Sequence, residues 1–188
     1  MWVRFLHAGP RLNNNMLKQV ILNTNFDQFV NADYSVHEGS CIKHQVHELK
    51  DIHERFNGFP DTYVYENTRI HQLWWTADQV DFDAIGAQLG MEVVTVSSIM
   101  QPPGGVIPWH RDTFYQIGQR FPDRTELKVR ANLYLENWKM GHFIQYEDTV
   151  DTHWTQGQGW LWDSEVLHLG ANAGMQNKYT LQVSGFLK

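Results

Sequence analysis

The chain has 188 residues, enough for one folded domain with a sizeable core and too few for two independent ones. Hydrophobic residues make up 42% and charged residues 19%, a mixture that excludes a disordered tail or a coiled coil. Fifteen Lys and Arg against 21 Asp and Glu give a net charge of −6 with no dense basic run, which argues against nucleic acid as a partner.

The single cysteine, Cys41, has no partner for an intramolecular disulfide, and Arg4 and His7 interrupt the stretch where a signal peptide would be apolar. A cytoplasmic protein is the expectation. No apolar run approaches the roughly 20 residues that cross a bilayer, so a membrane span is not expected. The 25 aromatics and ten His suit a walled pocket as well as a core.

In chain order, Asn15 to Val30 places Met16, Val20, Phe26 and Phe29 on a helical stripe, with Leu17 and Ile21 beside it. Lys43 to Phe56 repeats the pattern with Val46, Leu49, Ile52 and Phe56, and Gly58 and Pro60 stop it. Asp61 to Trp75 alternates irregularly and reads as strand. A short helix at Asp81 to Leu89 ends at Gly90, which fits a C-terminal glycine cap.

After Gly90 the pattern becomes β. Strands are expected at Glu92 to Met100, Val106 to Asp112, Leu127 to Leu135, His142 to Glu147, Gln158 to Asp163 and Lys178 to Phe186, separated by Gly- and Pro-rich turns. Six short strands in about 95 residues suggest a sandwich, barrel or jelly roll. There is no internal repeat or flexible linker, so the reading is a single domain. Residues 1–90 form a helical or mixed support region, and residues 91–188 form the β core.

His110-Arg111-Asp112 is the sharpest local signal. Residues i and i+2 of a strand share a face, so an imidazole and a carboxylate project side by side and can chelate one metal ion. With ten His and twelve Asp, about 0.6 such pairs arise by chance, so the pair needs a third ligand. His168 is the candidate, following the run Gly159 to Leu167. Two imidazoles and one carboxylate leave open metal positions, as in non-haem Fe(II) oxygenases.

Alternation on the last strand sends Lys178, Thr180, Gln182 and Ser184 to one face. On Leu127 to Leu135 it groups Lys128, Arg130, Asn132 and Tyr134. These polar faces belong either to solvent or to a cavity. His142 and His153 have no carboxylate two residues away and read as structural. His44, His47 and His53 read as the solvated side of the second helix. Trp160 and Trp162 read as core.

His110-x-Asp112, the distal His168 and a cation ten residues beyond it resemble the 2-oxoglutarate- and Fe(II)-dependent dioxygenases. Within them, Arg130-Ala131-Asn132-Leu133 and Trp160-Leu161-Trp162-Asp163-Ser164 are similar to the aspartyl/asparaginyl β-hydroxylase-like domains. The resemblance covers residues 92–186 and implies a mainly β fold, a double-stranded β-helix (jelly-roll, cupin-like) core with buttressing N-terminal helices. It implies Fe(II) on His110, Asp112 and His168, and O₂ as oxidant. The 2-oxoglutarate cosubstrate would lie with its distal carboxylate on Lys178 and its keto end near Arg130 and Asn132. The substrate would be an amino-acid side chain of a protein or a free amino acid.

Two features depart from that pattern. Lys178 stands where the β-hydroxylases more often carry Arg, as in the prolyl 4-hydroxylases, and Thr113 to Arg124 is longer than expected, which suits a lid or substrate loop. The competing readings are a non-redox metal-binding cupin and a non-catalytic β-barrel. Neither requires cations for a dicarboxylate.

Overall fold

The computed structural model describes residues 16–35, 38–40 and 69–188. Two antiparallel sheets carry the fold. The larger contains β1 (Leu17–Ile21), β2 (Glu38–Ser40), β3 (Arg69–Trp75), β4 (Met91–Gln101), β6 (Lys128–Tyr134), β9 (Gln158–Trp162) and β11 (Lys178–Leu187) in the order β1-β9-β6-β11-β4-β3-β2. The smaller contains β5 (Val106–His110), β7 (His142–Tyr146), β8 (Thr149–Asp151) and β10 (His168–Asn172) in the order β5-β10-β7-β8. Many neighbouring strands, such as β1 and β9, β6 and β11, and β5 and β10, are distant in sequence, as in jelly-roll topology. The fold is the mainly β, cupin-like double-stranded β-helix expected from the sequence.

The apolar core lies on one face of the larger sheet. Val129, Ala131, Leu133, Leu161, Leu181 and Val183 point there, beneath Ile85 and Leu89 of α2 (Phe82–Leu89) and Phe29 of α1 (Asp27–Val30). The polar residues that alternate with them face the smaller sheet. Arg130 and Asn132 of one stripe and Lys178, Thr180, Gln182 and Ser184 of the other therefore line a cavity rather than solvent. A second, aromatic cluster of Tyr134, Tyr146, Trp154 and Trp162 packs with Ile144 and Val166.

The helix expected over Asn15 to Val30 is replaced by β1 and the single turn α1. The free edge of β9 decides this. Leu17 to Ile21 pairs antiparallel with Trp162 to Gln158, and Val20 is buried while Ile21 is 57% exposed, an alternation that the helical stripe does not have. The helix over Lys43 to Phe56 lies outside the described residues, as does the first half of the Asp61 to Trp75 segment; its second half is β3.

The Asp81 to Leu89 helix forms as read. Asp81 Oδ1 accepts the Ala84 N–H at 2.9 Å, and Gly90 closes the helix in the left-handed region at φ 71°. Strands β8 and β10 have no counterpart in the sequence reading, and β5 stops at His110, two residues earlier than expected. The Thr113 to Arg124 segment holds a short helix, α3 (Tyr115–Arg120). Among the described residues, no helix is long and apolar enough to cross a membrane.

Gly159 marks the closest approach of β9 to β6. A Cβ there would lie 2.1 Å from the Asn132 carbonyl oxygen and 2.8 Å from Leu133 Cα, both backbone atoms that cannot step aside. Gly159→Ala is expected to lower stability by about 1–3 kcal/mol, read as a fall in thermal midpoint. An unchanged midpoint would contradict this strand spacing.

Candidate metal centre

The strand pairing that builds the smaller sheet also builds the site. His168 opens β10 directly opposite His110 at the end of β5, and their rings lie 4.2 Å apart. Asp112 follows two residues after His110, and its Oδ2 lies 3.8 Å from His168 Nε2. One ligand atom from each of the three residues falls within 4.8 Å of the others, the spacing of donors around a single ion. The three residues that the sequence reading offered as ligands are thus neighbours in space.

The surroundings of His168 and Asp112 prepare both for a cation. His168 Nδ1 lies 3.1 Å from the Val166 carbonyl, which can only accept, so Nδ1 carries the proton and Nε2 presents its lone pair to the site. Burial, together with the neighbouring His110, holds the His168 imidazole down at about 3 despite Asp112, so it stays neutral. Burial alone would raise the Asp112 carboxyl. The Arg130 guanidinium, with the Trp162 N–H, instead holds it at about 2, so it stays ionised.

Two side chains fix the carboxylate. Arg130 Nη1 donates to Asp112 Oδ1 at 2.5 Å, and Trp162 Nε1 donates to Oδ2 at 2.9 Å. Arg130 is braced through Nε on Ser184 Oγ at 3.0 Å, which leaves Nη2 as the guanidinium nitrogen engaged by neither contact. Trp162, read as core from the sequence, is core and orienter at once. No local pattern announces the second role, because it depends on β9 facing the chain beyond β5. Trp162→Phe is expected to keep the fold while weakening Mn(II) binding about tenfold, measured by calorimetry; undiminished affinity would remove Trp162 from the site.

Lys178 opens β11 on the same side. It is 4% exposed, and its Nζ donates to the carbonyls of Ala171 and Phe143 at 3.1 and 3.2 Å. No carboxylate accompanies it among the described residues, and burial pulls the ammonium down to about 7. Asn132, from the Arg130 stripe, has its Oδ1 buried without a hydrogen-bond partner.

All six of these residues line one cavity of about 510 Å³ between the sheets, a size suited to small-molecule ligands. Gln101, Thr180, Gln182 and Ser184 add polar walls, and residues 113–117 with Arg120 form the side contributed by the long segment after Asp112. Phe114 there adopts a left-handed backbone at φ 50°. Its ring is buried with Ile117 and Phe186 and lies under the Arg130 guanidinium at 5.6 Å, contacts that offset the backbone strain.

The other histidines of the β half serve elsewhere. His142 Nε2 bonds the Gln176 carbonyl at 3.0 Å, and His153 stacks on Trp138. His44, His47 and His53 lie outside the described residues.

No protein-family model matches the chain, and no curated protein matches it. Among solved structures it is similar to a prolyl-4-hydroxylase from Pseudomonas putida, at 18% identity and a TM-score of 0.50 over 93% of this chain and 94% of that one. It also matches a viral collagen prolyl hydroxylase from Paramecium bursaria Chlorella virus-1, solved as a 2OG complex, at 16% identity and a TM-score of 0.45 over 61% and 77% of the two chains. A predicted oxalate decarboxylase from Thermotoga maritima matches at 12% identity and a TM-score of 0.41 over 63% and 82%. The end-to-end likeness to the bacterial hydroxylase shows a shared architecture: this chain has the jelly-roll fold of the cupins and 2-oxoglutarate oxygenases.

Proposed function

We propose that the protein is a 2-oxoglutarate- and Fe(II)-dependent dioxygenase that hydroxylates an amino-acid side chain of a protein or a free amino acid, converting the cosubstrate to succinate and CO₂. The observation that carries this reading is Lys178, a buried ammonium without a carboxylate partner among the described residues, lining the cavity of the His110–Asp112–His168 cluster. A buried cation is costly unless a ligand anion completes it. A non-redox cupin or a ligand-free barrel has no use for one at that position.

The donor set fits the metal. Two imidazoles and one carboxylate suit Fe(II) and leave coordination positions open. When bound, the metal supplies activation of O₂ and the oxidising power for C–H cleavage. The protein's own residues do the rest. Arg130 and Trp162 hold the Asp112 carboxylate in one orientation. Lys178 takes the far carboxylate of the cosubstrate as a compact point charge, and the Arg130 Nη2 and the Asn132 amide face its near end. Between the two sheets, Thr180, Ile144 and Leu169 narrow the space around it and exclude water.

Support for the amino-acid substrate comes from the Arg130–Leu133 and Trp160–Ser164 motifs, and a reducing cytoplasm would keep the iron ferrous. The test is anaerobic addition of Fe(II) and 2-oxoglutarate. A weak metal-to-ligand charge-transfer band in the visible is expected, followed by succinate formation on admitting air. No band and no succinate would leave a structural or non-redox metal protein.

A further inference from the structure

The cavity has more cations than the cosubstrate reading uses. Among its described lining residues Asp112 is the only carboxylate, against Arg111, Arg120, Arg130 and Lys178, in a chain whose net charge is −6. Lys178 and Arg130 have roles above. Arg111 and Arg120 do not.

Arg111 donates from Nε to the Glu165 backbone carbonyl at 3.0 Å, a neutral acceptor, and among the described residues it forms no ion pair. Arg120 lies over the Phe121 ring at 5.2 Å and has no carboxylate within ion-pair distance among the described residues. One face of β3 contributes Ile70, Gln72 and Trp74 to the same cavity. The neighbouring Trp75 turns the other way and packs edge-on against Phe29 in the core, whereas Trp74 is 57% exposed. A large indole left open on a cavity wall is a ready platform for an apolar or planar body.

We propose that the substrate is a small molecule bearing an oxyanion, a carboxylate or a phosphate, which Arg111 and Arg120 bind while its apolar or planar body rests on Trp74. This rests on the dioxygenase chemistry proposed above and takes as substrate a small anionic molecule, a free amino acid being one such, rather than a protein side chain. A guanidinium offers two parallel N–H donors to either oxyanion, so both arginines suit both groups. A neutral substrate would leave two charges in the cavity without a counterpart among the described residues.

Calorimetry on protein loaded with Mn(II) and N-oxalylglycine tests this, with 3-phenylpropionate, phenyl phosphate and the neutral 3-phenylpropanamide as probes. At least one anion is expected to bind about tenfold or more tighter than the amide, and the anion that does so identifies the oxyanion. In the Arg111→Gln/Arg120→Gln double variant that preference disappears, while N-oxalylglycine affinity stays within about twofold, which also reports an intact fold. Trp74→Ala weakens all the probes alike. Equal binding of amide and anions, binding of none of the probes, or a preference that survives in the double variant overturns the inference while the cosubstrate reading stands. Failure of N-oxalylglycine to bind the wild-type protein overturns that reading and this inference with it.

Discussion

Replacing Asp112 with Asn is expected to abolish 2-oxoglutarate turnover and to weaken Mn(II) binding by at least about 100-fold. The isostere keeps the shape and loses the chemistry. Arg130 Nη1 and Trp162 Nε1 each donate to one oxygen of the carboxylate, so the new amide must turn its NH₂ toward one of them, donor against donor. The variant also leaves Arg130 without its counter-charge.

The stability cost has a definite pH dependence. Asp112 is held at about 2 in the folded chain, below its ordinary value of 3.8, so its contribution is present in full above about 4. It is lost as the pH falls from there through about 2. The shift corresponds to roughly 2 kcal/mol. Wild type and Asp112→Asn should therefore differ in thermal midpoint at neutral pH and converge in strong acid. Turnover retained by the variant would remove Asp112 from the ligand set, and a gap that widened on acidification would contradict its ionisation state.

The second large effect runs in opposite directions for stability and function. Lys178→Met should stabilise the ligand-free protein by up to a few kcal/mol, because it deletes a buried ammonium and keeps an apolar stem of similar length. The same change should weaken 2-oxoglutarate binding by about 100-fold, chiefly as a raised KM. The folded lysine titrates near 7, below its ordinary 10.5, so the folded chain binds fewer protons than the unfolded chain between those values. Its penalty is therefore complete below about pH 7 and fades as the pH rises toward 10.5. The Lys178→Met advantage in thermal midpoint should shrink over that window.

Cosubstrate affinity should fall over the same range in the wild type, as the free protein loses the charge that the carboxylate needs. A Lys178→Met protein that is less stable than wild type at pH 7, with an unchanged KM, would mean that the lysine is a structural strut on the Ala171 and Phe143 carbonyls.

Much of the site is legible in the linear chain because its parts obey short-range rules. The period of two on Lys178–Leu187 and Lys128–Tyr134 separates polar from apolar residues, and the structure keeps both sets on opposite faces. Asp81 and Gly90 mark their helix ends through hydrogen bonds and backbone freedom confined to a few residues. The His110-x-Asp112 spacing brings two donors close along the chain, although β5 ends at His110 and the Asp112 carboxylate is oriented by Arg130 and Trp162 from other strands.

Other features had no local signature. Leu17–Ile21 has a helical stripe and becomes a strand because an unpaired edge of β9, some 140 residues away, offers its backbone a ladder. His168 meets His110 only because β10 pairs with β5 in one register, and Trp162 reaches Asp112 only because the two sheets face each other. Periodicity, caps and donor spacing are properties of neighbouring residues, so the sequence by itself determined them. Whether a polar stripe faces water or a cavity, and whether Lys178 is solvated or buried without an anion, depends on which distant strand covers it. The tertiary structure alone decided those points, because burial and electrostatic environment are set by atoms contributed from elsewhere in the chain.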